Sequence, residues 1–144
     1  MEGIIKSKQY AIITMPNADT GNNEIISIIK QKAKETNKIS LIDNLGTELY
    51  FNAMLHADCM VGNSSSGIKE AGFFNCVSIN IGERQKSRLR SGLVFDCEPV
   101  SASILELIED IKRNDFYRHQ AATIENPYLA GTALKDISKM LLSY

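Results

Sequence analysis

The chain has 144 residues, enough for one domain with a real hydrophobic core. It is 44% hydrophobic and 23% charged with a formal net charge of -1, so no basic field exists to hold DNA or RNA along its length, although a single phosphate group needs only a local site. The three cysteines, Cys59, Cys76 and Cys97, form no C-x-x-C pair, which argues against a zinc site or a disulfide framework and fits a reducing compartment. Residues 1–10 carry charges rather than a signal peptide, and no apolar run is long enough to span a membrane; the cytoplasm is the expected location.

The first predicted element is the short apolar run Tyr10–Met15, read as a buried strand stopped by Pro16. Turn formers fill residues 16–23, and Asp19 or Thr20 can cap the helix that follows. That helix has Glu24 in its first turn, Ile25, Ile28, Ile29 and Ala33 along one face, and lysines late in it. Ile39–Asp43 reads as a second strand and Thr47–His56 as a second helix. Cys59–Gly62 is a third strand, Ser65–Gly72 a short helix, Val77–Ile81 a fourth strand and Leu93–Asp96 a fifth.

Ser103 with Glu106 three residues on forms a capping box for a helix whose face carries Ile104, Leu107, Ile108 and Ile111. A further helix is expected over Asp115–Thr123. Asn126-Pro127-Tyr128 breaks the chain, and a last helix is expected from Gly131 to Leu142. Strands alternating with helices imply an α/β domain with a parallel sheet covered on both faces. Ligands of such sheets bind in loops at the carboxyl ends of strands, here after Met15, Val61 and Ile81.

The second of these loops is Gly62-Asn63-Ser64-Ser65-Ser66-Gly67, between a strand and a helix. Its glycines let the backbone approach a ligand, and helix-start N–H groups with three hydroxyls suit phosphate oxygens. Glu70, one turn on, would repel phosphate but can accept hydrogen bonds from a ribose diol. An ordinary helix cap explains the serines equally well. The loop is neither a P-loop nor a G-x-G-x-x-G fingerprint. The third loop places Arg84, Lys86, Arg88 and Arg90 within seven positions directly after a strand. Most charge runs are solvated, but this one leaves the strand next to the Ser loop, and arginine grips phosphate with a planar fork.

Residues 60–72 (MVGNSSSGIKEAG) followed by residues 77–85 (VSINIGERQ) closely resemble the C-terminal domain of UDP-N-acetylglucosamine 2-epimerases, with the hydrolysing, sialic-acid-pathway branch the nearer match. Asn126-Pro127-Tyr128 resembles that family's C-terminus. The resemblance implies a Rossmann-like domain, the C-terminal half of a glycosyltransferase-B type architecture. It implies elimination of UDP from UDP-N-acetylglucosamine, hydration of the glycal to N-acetylmannosamine, and neither metal nor organic cofactor. Ser64 and Ser65 match serines on the diphosphate, Glu70 the glutamate on the ribose and Arg84 the arginine facing the diphosphate. Asn63, Ser66, Gly67 and Gln85 join them as expected UDP-binding positions. Tyr50 falls where the family has an aromatic residue against uracil, and core packing explains it as well.

Two departures matter. The family's N-terminal domain, the source of most catalytic carboxylates, has no counterpart in these residues; alone the chain is expected to bind UDP weakly and catalyse nothing. A face left for that domain makes self-association an open expectation. The family's first loop often carries a histidine where Pro16 stands here; His56 and His119 do not replace it and read as packed or surface residues. Three alternatives stand beside the hydrolysing epimerase: a non-hydrolysing epimerase, the donor-binding domain of a glycosyltransferase, and a non-catalytic nucleotide-sugar module.

Overall fold

A computed structural model describes residues 1–16, 22–117, 126–129, 131, 139 and 140. Its strands are β1 (Ala11–Thr14), β2 (Ile39–Ile42), β3 (Cys59–Gly62), β4 (Val77–Ile81) and β5 (Val94–Cys97). Its α-helices are α1 (Glu2–Ser7), α2 (Asn22–Ala33), α3 (Gly46–His56), α4 (Ser65–Lys69) and α5 (Ser101–Arg113), with 3-10 turns at Ala71–Phe74 and Pro127–Leu129. Every strand pairing among the described residues is parallel. The expected helices over Asp115–Thr123 and Gly131–Leu142 fall largely outside the described residues, as do the Asp19 and Thr20 caps and His119.

The expected single sheet is divided in two. β1 pairs with β2, while β3, β4 and β5 form a separate sheet with β4 in the middle. Val77, Ser78, Ile79 and Asn80 are all buried, as befits a central parallel strand with neighbours at both edges. The main core gathers Val77, Ile79, Leu93 and Cys97 from this sheet against Ile104, Ile108 and Ile111 of α5 and Tyr117. A smaller core joins Met54 of α3 to Ala71 and Cys76.

β1 departs from the buried strand expected of it. Its burial alternates, Ile12 is 55% exposed, and Tyr10 just before it is 84% exposed. Between β1 and β3 lies a 730 Å3 cavity, walled by Ala11–Thr14 on one side and Cys59–Val61 on the other. No backbone ladder crosses it, so among the described residues β1 has a strand at one edge only. The helix expected to cover this sheet, α2, buries Ala33 alone, while Ile25 and Ile28 lie half exposed.

The capping box is also corrected. α5 begins at Ser101, two residues ahead of Ser103, and its N-cap Val100 offers no side-chain cap. Burying an isoleucine stabilises by about 1.5–3 kcal/mol, whereas a cap contributes about 1 kcal/mol. Three buried isoleucines therefore decide where the helix sits. Its start packs against α1, where a Cβ on Gly3 would stand 2.7 Å from the Ser101 carbonyl oxygen. A six-residue helix such as α1 is too short to announce itself by periodicity, and sequence pattern gives no sign of it.

Candidate functional site

The Ser loop and the Arg loop leave adjacent strands at the same end, because β3 and β4 run parallel with Gly62 opposite Asn80. Ser64 has extended backbone and its Oγ accepts from the Ser66 N–H at 3.3 Å, the cap geometry expected of serine. Gly67 is buried directly beneath β4: a Cβ there would collide with Ser78 Oγ. Close helix–strand approach thus requires this glycine, and that approach places the serine turn over the strand end.

Ser66 and Glu70 are drawn into a second arrangement. The Tyr50 hydroxyl donates to Ser66 Oγ at 2.9 Å, and Ser66 Oγ in turn donates to Glu70 Oε2 in a short hydrogen bond. Tyr50 comes from α3, packs on the smaller core and lies 6.3 Å from the Phe51 ring. Burial pushes the Tyr50 phenol up, against the lowering pull of Ser66, with Glu70 raising it further; it keeps its proton as the donor of the chain. The helix register that suggested Tyr50 from sequence therefore does bring it to the Ser loop.

The Arg loop opens with Gly82 at φ +72°, a left-handed conformation that favours glycine. Gln85 is buried, and its Nε2 donates to the Asn63 carbonyl at 2.9 Å, which pins the two loops together. Its Oε1 finds no partner among the described residues. Gln85 and Asn63 thus brace the site through this contact. The four cations play different parts. Lys86 pairs with Glu83 at 2.6 Å and Arg90 with Asp96 at 2.7 Å. Arg84 and Arg88 are exposed and make no ion pair among the described residues. An exposed guanidinium beside a turn of serine hydroxyls can receive a diphosphate.

The profile of the family described as UDP-N-acetylglucosamine 2-epimerase matches residues 2–142. The chain belongs to the UDP-N-acetylglucosamine 2-epimerase family. It is 47% identical over 90 residues, 60% of its length, to a GDP/UDP-N,N'-diacetylbacillosamine 2-epimerase (hydrolyzing) of Campylobacter jejuni, covering 23% of that protein. It is 32% identical over 89% of its length to polysialic acid biosynthesis protein P7 of Escherichia coli, covering 32% of that protein. It is 30% identical over 72% of its length to a UDP-N-acetylglucosamine 2-epimerase of Neisseria meningitidis, covering 27% of that protein. The chain thus spans about a quarter to a third of these relatives. A crystal structure of UDP-GlcNAc 2-epimerase from Neisseria meningitidis bound to UDP-GlcNAc superposes with a TM-score of 0.73 at 18% identity, over 99% of this chain and 40% of that one. That likeness establishes the fold of this family member, an α/β domain of parallel strands flanked by helices.

Within this epimerase-family chain, the first of the three loops lies mostly outside the described residues. His56 is exposed at the end of α3, which agrees with a surface residue. No described helix is long and apolar enough to cross a membrane. Sequence reasoning missed Asn80, Asp96 and Tyr128 as parts of the site's frame. Asn80 Nδ2 donates to Asp96 Oδ1 at 2.8 Å, and the Tyr128 hydroxyl donates to the Leu89 carbonyl at 2.7 Å. The one signal for the first pair was an amide in β4 opposite a carboxylate in β5, visible only once strand register is known.

Proposed function

We propose that this chain is the UDP-gripping portion of a hydrolysing UDP-N-acetylglucosamine 2-epimerase. In this reading Ser64 and Ser65 hold the diphosphate, Glu70 accepts from the ribose hydroxyls, Tyr50 flanks the uracil and Arg84 faces the phosphates. The observation that carries it is the tie from Gln85 to the Asn63 carbonyl, which sets the serine turn beside a loop whose Arg84 is unpaired among the described residues. A guanidinium fixed there stabilises charge on the departing diphosphate and fixes the leaving group in place. Catalytic carboxylates come from a partner domain across the cleft, and the cytoplasm is the expected compartment. Released UDP and free N-acetylmannosamine, rather than an epimerised UDP-sugar, distinguish the hydrolysing reaction.

A second reading concerns the sugar. The Campylobacter jejuni relative is named for N,N'-diacetylbacillosamine, and so is a hydrolysing relative in Legionella pneumophila at 37% identity over 73% of this chain. A diacetylated sugar on the same nucleotide would use the same diphosphate grip. Calorimetric titration of the chain with UDP tests the shared core of both readings. Arg84→Ala is expected to weaken UDP by about tenfold or more, the worth of a charge-assisted hydrogen bond, without lowering the melting temperature. Absence of binding heat in the unaltered chain would sink the nucleotide assignment.

A further inference from the structure

Arg90 is the cation of the loop that turns inward. Its side chain is 22% exposed, and its Nη1 donates to Asp96 Oδ1 at 2.7 Å. Its Nη2 donates to the carbonyls of Lys86 at 2.9 Å and Gln85 at 3.2 Å. Those are the carbonyls of the two residues that follow Arg84. Asp96 also accepts from Asn80 Nδ2 at 2.8 Å, and the same Nδ2 donates to the Gly82 carbonyl at 3.3 Å. The loop is therefore fastened at the Gly82, Gln85, Lys86 and Leu89 carbonyls, the last by Tyr128. A planar guanidinium can span a carboxylate and two carbonyls at once; an ammonium cannot match that fork.

We propose that Arg90, anchored by Asp96, is a positioning residue for the diphosphate: it fixes the peptides after Arg84 and so delivers the Arg84 guanidinium to the phosphates. The inference rests on the nucleotide reading above. It assigns Arg90 no contact with the ligand, because Nη1 is engaged by Asp96 of β5 and Nη2 by two carbonyls of the loop. Asp96 neutralises it and Glu83 pairs with Lys86, so the cations of the loop without an ion pair among the described residues are Arg84 and Arg88.

The test compares UDP with uridine on the full chain, since a loop that serves only the phosphates affects UDP alone. Arg90→Gln is expected to weaken UDP about tenfold, the worth of hydrogen bonds to a charged group, and to leave uridine unchanged in ligand-observed NMR. In an Arg84→Ala background Arg90→Gln is expected to add nothing, because the group it positions is gone. Arg90→Lys is expected to resemble Arg90→Gln. Asp96→Asn keeps an acceptor for Asn80 while discharging the anchor, and serves if Arg90→Gln fails to fold; it too is expected to weaken UDP selectively. An equal loss for UDP and uridine would make Arg90 merely structural and overturn the proposal. An unchanged UDP affinity would do the same, and so would a full additional loss on the Arg84→Ala background, which would mean direct contact. An unaltered chain that takes up no UDP overturns the nucleotide reading and this proposal together, whereas UDP binding indifferent to Arg90 and Asp96 overturns this proposal alone.

Discussion

The part of the chain built on β3, β4 and β5 and the part built on β1 and β2 use the same parallel pairing and contrast in cover. Ile79 in β4 is 0% exposed, with a strand at each side and α5 packed on the sheet. Ile12 in β1 is 55% exposed, with one strand neighbour among the described residues and a cavity along its other edge. Both candidate ligand loops grow from the covered part. A site that must present fixed donors to a diphosphate needs loops anchored on a packed strand, because an anchor that moves forfeits preorganisation.

The severest loss comes from breaking the covered part directly. Ile79→Ala leaves a cavity in the central strand and is expected to destabilise by about 3–4 kcal/mol, against less than about 0.5 kcal/mol for Ile12→Ala at the open strand. Urea denaturation midpoints read the pair, and equal losses would erase the contrast. Next comes the helix–strand contact under the Ser loop. Gly67→Ala is expected to lose about 2 kcal/mol through overpacking, because its Cβ meets Ser78 Oγ. Removing that hydroxyl with Ser78→Ala is expected to restore much of the loss in the double variant, and no such rescue would place the strain elsewhere.

A smaller effect belongs to Tyr50, which links α3 to the Ser loop through Ser66. Tyr50→Phe removes the hydrogen bond to Ser66 and a long contact to the Met60 sulfur, and is expected to lower stability by about 1 kcal/mol, seen as a lower melting temperature; an unaltered melt would mean the contact is loose. The least effect at neutral pH concerns Tyr117, buried in the main core with its hydroxyl donating to Asp110 in a short hydrogen bond. That hydrogen bond, helped by burial, pushes the Tyr117 phenol up from 10.0 to about 12. A raised acid stabilises the fold fully below its unfolded value, so the contribution is present below pH 10.0 and fades as pH rises toward about 12. Tyr117→Phe is expected to flatten that alkaline slope in pH-dependent unfolding, and an unchanged slope would assign it to other groups.

The five strands and the helices α2, α3, α4 and α5 were legible in sequence to within a few residues, because apolar runs and helical spacing are local signals. A serine cap for the helix after β3, which the structure assigns to Ser64, and the adjacency of the two candidate ligand loops were legible too, the first from serine chemistry and the second from strands alternating with helices. The frame around the site was not. Arg90 read as one more cation in a basic run, and only its reach to Asp96 and two carbonyls separates it from Arg84. Gln85 read as a ligand group, and only its burial against the Asn63 carbonyl shows it bracing the two loops.

The kind of domain, and the loops whose chemistry suits a phosphate, could be read along the chain, since period, turn chemistry and motif spacing are local properties of a sequence. Three features waited for the folded molecule: the division of the sheet at β1, the start of α5 two residues before its capping box, and which of the four cations are tied up in ion pairs. Each of those turns on contacts that no local pattern encodes: an unpaired strand edge, three isoleucines buried against a distant sheet, and a carboxylate one strand away.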